Sequence, residues 1–195
     1  MFFAHVCDGC GERGRGTCDA CMRRLLSEAR PTGSAIWAGF VFSGMARELI
    51  IGLKYRNNRA NARVLVDAVL QRLHPLPTVD VITWVPTTRQ RQRQRGVDQS
   101  ELLARRFGRH LRVPVRRLLR KTSDEVQTGR TRRQRLQGPT FVARPVGAAT
   151  RVMVVDDVVT TGASFDRARA VLIAAGATSV VCVAVAATPA PMNTR

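Results

Sequence analysis

The chain has 195 residues, which is enough for one sizeable core and a small additional segment. Hydrophobic residues make up 45% of it, a share typical of globular proteins rather than disordered ones. No apolar run approaches the roughly 20 residues that span a membrane. The short stretch before Cys7 also lacks the apolar core of a signal peptide. We therefore expect a cytoplasmic protein with reduced thiols.

The formal net charge is +18, and much of it lies in an Arg-rich stretch between residues 89 and 135. Such a field would attract polyanions, either pyrophosphate or nucleic acid. The alternative is that many of these Arg side chains are simply solvated. Aromatic residues make up only 5% of the chain, and they are not interleaved with the basic residues. This argues against a stacking surface for single-stranded nucleic acid.

Two Cys-x-x-Cys pairs lie within residues 1–26: Cys7 with Cys10, and Cys18 with Cys21. Two such pairs in a short cytosolic segment predict one Zn²⁺ held by four thiolates. The ion would be structural, because four thiolates leave no open coordination position. A redox pair and free structural thiols are the alternatives. No βαβ pattern surrounds the pairs, which disfavours the redox interpretation.

A linker is predicted at residues 27–34, where Pro31 and Gly33 occur, and the main domain at residues 35–195. Within that domain, hydrophobic periodicity and punctuation by Pro and Gly predict alternating strands and helices. The strands are expected at 36–43, 79–85, 113–119, 151–155 and 179–186, and the helices at 46–53, 60–73, 98–110 and 164–175.

The predicted strand at 79–85 leads into Pro86-Thr87-Thr88 and then into a string of alternating Arg and Gln. A strand end that delivers hydroxyl groups and Arg side chains into one loop suits an anion site. Residues 121–138 are polar, rich in Arg and nearly without apolar side chains. Long polar stretches inside compact domains are usually lids or disordered segments.

The most informative segment is residues 152–164. Its first four residues are apolar at every position, which predicts a parallel strand buried on both faces. Asp156 and Asp157 follow at the expected carboxyl end of that strand, where open α/β sheets bind ligands. Thr160 to Ser164 then offer hydroxyl and backbone N–H groups just before a helix, an arrangement that binds anions. The segment predicts a phosphorylated-sugar site; a buried strand followed by a chance Asp-Asp turn is the alternative.

This segment closely resembles the phosphoribosyl pyrophosphate (PRPP) motif of type I phosphoribosyltransferases. In that family the acidic pair contacts the ribose hydroxyls, directly or through a metal ion, and the loop after it grips the 5′-phosphate. The resemblance implies that PRPP would be bound by Asp156, Asp157, Val158, Val159, Thr160, Thr161, Gly162, Ala163 and Ser164.

Three further strings resemble the ComF-type relatives of these enzymes. They are Leu53-Lys54-Tyr55; Val85-Pro86 with Arg95-Gly96 and Gln99; and Thr122 with Gln127 and Arg135 before Phe141. The resemblance implies an α/β fold like that of type I phosphoribosyltransferases. Its open, mostly parallel sheet would be flanked by helices and preceded by a small Cys-rich zinc-binding segment.

The same resemblance assigns two loops. The pyrophosphate loop would comprise Pro86, Thr87, Thr88, Arg89 and Arg95, and a flexible hood over the site would carry Lys121, Gln127 and Arg135. The chain departs from the family pattern at Asp98, whose carboxylate would lie near the pyrophosphate.

The activity implied is transfer of phosphoribose from Mg²⁺-bound PRPP to an unidentified nitrogen acceptor, with release of pyrophosphate. Asp156, Asp157, Arg89 and Lys54 are the catalytic candidates, and the last two would neutralise the leaving group. Two alternatives remain: a competence-type accessory protein that binds single-stranded DNA, and a non-catalytic sensor of PRPP or nucleotides.

Overall fold

The computed structural model describes residues 6–14, 17–28, 36–88, 92, 96–122, 141–147 and 149–189. The helices in these ranges are α1 (Asp19–Ser27), α2 (Gly44–Tyr55), α3 (Ala60–Leu73), α4 (Gln99–Leu111) and α5 (Ala163–Ala174). The strands are β1 (Trp37–Val41), β2 (Val81–Trp84), β3 (Leu119–Lys121), β4 (Phe141–Ala143), β5 (Thr150–Val159) and β6 (Ala177–Ala187).

Four strands form a sheet in the order β1-β6-β5-β2, and β3 and β4 form a separate antiparallel pair. The pairing of β1 with β6 is parallel, and so is the pairing of β2 with β5. Helix α3 packs on β1, and helix α4 packs on β2. The predicted fold class, an α/β protein whose mostly parallel sheet is flanked by helices, is confirmed.

The chain divides into two compact units. The first comprises Met1–Pro77, Asp157–Thr160 and Val183–Arg195, and the second comprises Thr78–Asp156 and Thr161–Cys182. The predicted domain boundaries at residues 26 and 34 stay a prediction. Among the described residues, no helix is long and apolar enough to cross a membrane.

In the first unit, the carboxylate of Glu28 caps helix α2. It accepts hydrogen bonds from the backbone N–H groups of Met45 and Ala46, the latter at 3.2 Å. An acidic group at this end also interacts favourably with the helix dipole. Because Glu28 directly follows α1, this contact fixes the end of α1 against the start of α2.

In the second unit, the centre of β5 forms the core. Val152 to Val155 are fully buried, as predicted for a strand covered on both faces. Helix α4 begins at a side-chain cap, since Asp98 accepts a hydrogen bond from the Ser100 N–H at 3.2 Å.

Two local predictions were wrong, and one helix was missed. Helix α1 was not predicted, although Cys21 and Leu25 have the four-residue spacing of one buried helix face. The strand expected at 113–119 is replaced by a single bridge between Val115 and Ile82, and regular pairing begins only at Leu119. Strand β5 also runs on to Val159 instead of ending at Val155.

Candidate functional site

The acidic pair lies inside β5 rather than beyond its end. The strand continues because the Val159 carbonyl accepts a hydrogen bond from the Thr188 N–H at 2.9 Å. Side chains alternate between the two faces of a strand. The burial pattern follows this alternation, since Asp157 and Val159 are buried whereas Asp156 and Val158 are half-buried. The two carboxylates therefore face opposite sides of the strand and have different surroundings.

Asp156 is held by helix α4. The Ser100 hydroxyl donates a hydrogen bond to Asp156 Oδ1 at 2.7 Å. Ser100 lies in the first turn of the helix, which the Asp98 cap fixes. The Ser100 hydroxyl, a neutral donor, therefore helps to orient the carboxylate of Asp156. Sequence reasoning did not find Ser100, since nothing in the local pattern ties it to a residue 56 positions later.

Asp157 is held by the end of helix α2. Lys54 Nζ lies 2.8 Å from Asp157 Oδ1, and the two side chains are only 19% and 12% exposed. Lys54 was predicted to neutralise a leaving group, whereas in this structure its ammonium group neutralises Asp157. The pair is largely shielded from water, so each charge depends strongly on the other.

The loop after β5 turns at a glycine. Gly162 has φ = 81°, a left-handed conformation that costs glycine little, and it is the N-cap residue of α5. A glycine N-cap brings no side chain of its own to the first N–H groups of the helix. Thr160 and Thr161 are exposed on this loop, and Ala163 and Ser164 begin the helix. The hydroxyl groups of this loop therefore lie directly before the N-terminus of helix α5. Such an arrangement is typical of anion sites.

The predicted pyrophosphate loop is described only in part. Pro86 is buried and Thr87 and Thr88 are half-buried, whereas Arg89 and Arg95 lie outside the described residues. The Thr87 N–H donates to the Asp98 carboxylate at 3.0 Å. Burial is the main cause that raises the pKa of Asp98, and backbone N–H groups, first that of Thr87, counteract it. Asp98 thus joins this loop to the start of helix α4.

Of the predicted hood residues, Lys121 ends strand β3, where it pairs with Phe141. Gln127 and Arg135 lie outside the described residues.

The four N-terminal cysteines come together. Their sulfur atoms all lie within 4.8 Å of one another, and Cys10 Sγ is 3.7 Å from Cys18 Sγ. A tetrahedral ion with Zn–S bonds of about 2.3 Å separates its sulfur ligands by about 3.8 Å. The cluster therefore has the donor set of a structural zinc site, and its separation of 3.7 Å between Cys10 and Cys18 is compatible with one.

The surroundings of Cys7 favour its thiolate. Burial raises the pKa of this thiol, but the backbone N–H groups, first that of Cys18 and then that of Cys10, lower it by more. The net result is a lowered pKa of about 7. The Cys18 N–H lies 3.5 Å from Cys7 Sγ. The pKa of Cys21 is raised, chiefly by burial and then by the neighbouring thiol of Cys18. Several thiols crowded together disfavour more than one thiolate unless a cation compensates their charge.

Asp8, between the first two cysteines, ties this cluster to helices α2 and α3. Its carboxylate accepts hydrogen bonds from Asn58 Nδ2 at 2.8 Å and from Asn61 Nδ2 at 2.5 Å, and it pairs with Arg56 Nε at 3.1 Å. Its side chain is 5% exposed. Gly52 makes room for it, because a Cβ there would collide with the Asp8 carboxylate and lie 2.6 Å from Asn61 Nδ2. No local sequence pattern indicates this network or the role of Gly52.

No protein-family model matches the chain. A curated relative, Competence protein F of Haemophilus influenzae, is 29% identical over 185 residues, which cover 83% of this chain and 81% of the relative. The resemblance to ComF-type phosphoribosyltransferase relatives is confirmed. The match spans most of both chains and does not stem from one short motif.

Two of the solved structures that resemble part of this chain are enzymes whose names refer to PRPP or to phosphoribosyl transfer. Glutamine PRPP amidotransferase from B. subtilis, complexed with ADP and GMP, is 25% identical over 64% of this chain with a TM-score of 0.45; the chain spans 25% of that enzyme. Adenine phosphoribosyltransferase from Trypanosoma brucei is 16% identical, with 74% of this chain and 75% of that chain covered and a TM-score of 0.39. At these scores no residue role is transferred.

Proposed function

We propose that this chain binds PRPP with Mg²⁺ and transfers its phosphoribose to a nitrogen acceptor, releasing pyrophosphate. The observation that carries the proposal is the segment from Asp156 to Ser164. It combines two carboxylates held in different ways with a glycine turn that opens onto the N-terminus of α5. The relative named Competence protein F supports it, because its similarity extends over most of the chain.

The proposed roles follow from charge and position. The hydroxyls of Thr160 and Thr161 and the first N–H groups of α5 would bind the 5′-phosphate, since a helix N-terminus favours anions. Asp156 is half-buried and has a neutral donor in Ser100, so it would contact the ribose hydroxyls or a Mg²⁺ bound to them. Carboxylate oxygen suits Mg²⁺, which keeps several waters and takes few protein ligands.

Asp157 and Lys54 would act as a unit. The Lys54 ammonium at 2.8 Å keeps the Asp157 carboxylate in place before substrate arrives. It would contribute positive charge near the substrate once Asp157 gains a ligand. Bound Mg²⁺ would supply further positive charge to the pyrophosphate.

In the transfer itself, the bond between ribose C1 and the pyrophosphate oxygen breaks and takes its electron pair to pyrophosphate. The acceptor nitrogen then forms the new bond to C1 and loses its proton. The developing positive charge on the ribose is stabilised by nearby carboxylates, and the charge on the leaving group by cations. Lys54 is the described candidate for the second task, with Arg89 and Arg95 as further candidates from the sequence.

We also propose that Cys7, Cys10, Cys18 and Cys21 hold one structural Zn²⁺. The sulfur separation of 3.7 Å between Cys10 and Cys18 supports this, as does the lowered pKa of Cys7. In this role the ion would fix the turn that carries Asp8.

A competence-related function is the second candidate, supported by the name of the relative and by the net charge of +18. It would use single-stranded DNA as partner. A PRPP or nucleotide sensor would keep the phosphate site without turnover. The cytoplasmic location also stays a proposal.

A two-step experiment separates these functions. Thermal-shift and calorimetric titrations with Mg²⁺-PRPP test binding, and pyrophosphate release with a panel of nucleobases and amines tests turnover. We expect the wild-type protein to bind Mg²⁺-PRPP and to release pyrophosphate with at least one acceptor. Asp156→Asn should weaken binding at least about tenfold and abolish release, and Glu101→Gln, which removes a half-buried partner of Arg105, should change neither. Binding without release would indicate a sensor, whereas absence of PRPP binding would contradict the proposal. Salt-resistant binding of single-stranded DNA that survives Asp156→Asn would favour the competence role.

A further inference from the structure

A groove lined by arginines lies in the second unit, at the amino ends of two of its strands. This open groove of about 630 Å³ begins beside Asp80 and Thr150, at the amino ends of β2 and β5. Thr150 and Asp156 are six residues apart on β5, a separation of about 20 Å along an extended strand. The groove is therefore a different place from the proposed PRPP segment.

Three arginines line this groove: Arg116, Arg117 and Arg144. All three are exposed, and within the described part of the chain no carboxylate pairs with any of their guanidinium groups. The acidic residue of the groove, Asp80, is already engaged in a two-point contact with Arg151, at 2.7 and 3.0 Å. The groove thus carries three positive charges that are not compensated inside it.

The backbone holds these arginines in place although their side chains are exposed. The Arg116 N–H donates to the Ile82 carbonyl at 2.9 Å, which fixes it to β2. The Arg144 N–H donates to the Leu118 carbonyl at 2.8 Å, which extends the pairing of β3 with β4. The two chain segments that supply the charges therefore keep a fixed spacing, and less ordering is needed when a ligand binds.

The rest of the lining is largely apolar. Val81, Leu118, Pro145 and Val146 contribute to the walls, and Thr150 contributes a hydroxyl group. Small-molecule sites have volumes of roughly 300–1,000 Å³ and combine apolar walls with a few placed polar groups. Guanidinium groups match phosphate oxygens in geometry and charge.

We infer that this groove binds a small phosphorylated molecule of the size of a nucleotide, at a site separate from the PRPP segment. The arginines would bind its phosphate groups, and the apolar wall would contact its organic part. The proposal does not rest on phosphoribosyl transfer, since no residue of β5 beyond Thr150 takes part.

The test compares two variants that lose equal charge. Arg117→Gln/Arg144→Gln removes two groove charges. Arg63→Gln/Arg109→Gln removes two exposed charges on α3 and α4, outside the groove. Each double variant and the wild-type protein are titrated calorimetrically with inorganic pyrophosphate and with ADP near physiological salt. The titrations are repeated in a Thr161→Ala/Ser164→Ala background, which removes hydroxyls of the PRPP segment.

We expect the groove pair to weaken binding of ADP and pyrophosphate at least about tenfold in both backgrounds, because charged hydrogen bonds are lost. The control variant, Arg63→Gln/Arg109→Gln, should change the affinity for either ligand less than about twofold, because exposed charges outside the groove are screened. Equal effects of the two pairs would overturn the proposal, as would loss of all binding in the Thr161→Ala/Ser164→Ala background. A 20-residue single-stranded oligonucleotide is the last probe; if it alone binds the groove, the small-molecule assignment is wrong.

Discussion

Two regions of this chain hold carboxylates in opposite ways. Asp8 is almost fully enclosed, and two amide groups and a guanidinium group of the chain itself satisfy its oxygens. Asp156 is half-buried, and the Ser100 hydroxyl donates a hydrogen bond to it. A carboxylate that is enclosed and bonded by the protein stabilises structure, whereas one that stays partly exposed suits a ligand. Asp157 shares features of both: it is buried and paired with Lys54, yet it adjoins Asp156 on the same strand.

The largest expected effect belongs to the cysteine cluster that Asp8 adjoins. Cys21→Ser should abolish zinc binding and unfold the segment around α1, because structural zinc contributes about 10–16 kcal/mol of apparent binding free energy in small domains. Cys182→Ala is the matched control, since Cys182 is also buried but lies outside the cluster. Elemental analysis and circular dichroism measure the two properties. A metal-free wild-type protein with a fully folded α1 would refute the zinc site.

Asp8→Ala should come next, with a loss of roughly 2–5 kcal/mol in the free energy of unfolding, because buried donors lose their acceptor. The affected donors are the amides of Asn58 and Asn61. Urea denaturation measures the change. Asp19→Ala, an exposed change in the first turn of α1, is the control and should have only a small effect. An equally small loss of unfolding free energy for Asp8→Ala would show that the hydrogen bonds of Asp8 contribute little to stability.

The two neighbouring aspartates of β5 should behave differently. Asp157→Asn should lower the free energy of unfolding by about 1–3 kcal/mol, since it leaves the Lys54 ammonium without a charged partner in a largely buried place. Asp156→Asn should cost less, because an amide oxygen still accepts from the Ser100 hydroxyl.

A double variant isolates the cause of this difference. Lys54→Met/Asp157→Asn should recover part of the stability lost in Asp157→Asn, as no unpaired charge then remains. Urea denaturation of the single and double variants provides the comparison. Equal stability of the two Asp→Asn variants would contradict the account of the Lys54 pair.

The substitution of Gly52 is the one most specific to the space around Asp8. In an ordinary helix interior, Gly→Ala stabilises by about 1 kcal/mol. Gly52→Ala should instead destabilise by about 1–3 kcal/mol, because its methyl group overlaps the space of the Asp8 carboxylate. Thermal unfolding gives the sign directly. An increase in stability would mean that Asp8 moves aside easily.

The sequence predicted what is local and periodic. Helix α3 begins and ends at the predicted residues, and the buried centre of β5 follows from its run of apolar residues. The cysteine cluster follows from its spacing alone. These features depend on neighbours a few positions away, so a single chain reveals them.

Partners that are distant in sequence could not be predicted. Lys54 meets Asp157 and Ser100 meets Asp156 only because the fold brings remote segments together. The hydrogen bonds that Asp98 accepts from the Thr87 and Ser100 N–H groups were not predicted either. The extension of β5 to Val159 depends on pairing near Thr188, which no local pattern indicates.

The central claim is that Asp156 belongs to a PRPP site, and calorimetric titration of Mg²⁺-PRPP into wild-type protein and Asp156→Asn tests it most directly. Both proteins should be equally folded by circular dichroism, with Glu101→Gln as an acidic control. The account predicts measurable binding by wild-type and Glu101→Gln, and at least about tenfold weaker binding by Asp156→Asn, because a charged contact to the ligand is lost. Equal PRPP affinity of Asp156→Asn and wild-type would contradict it.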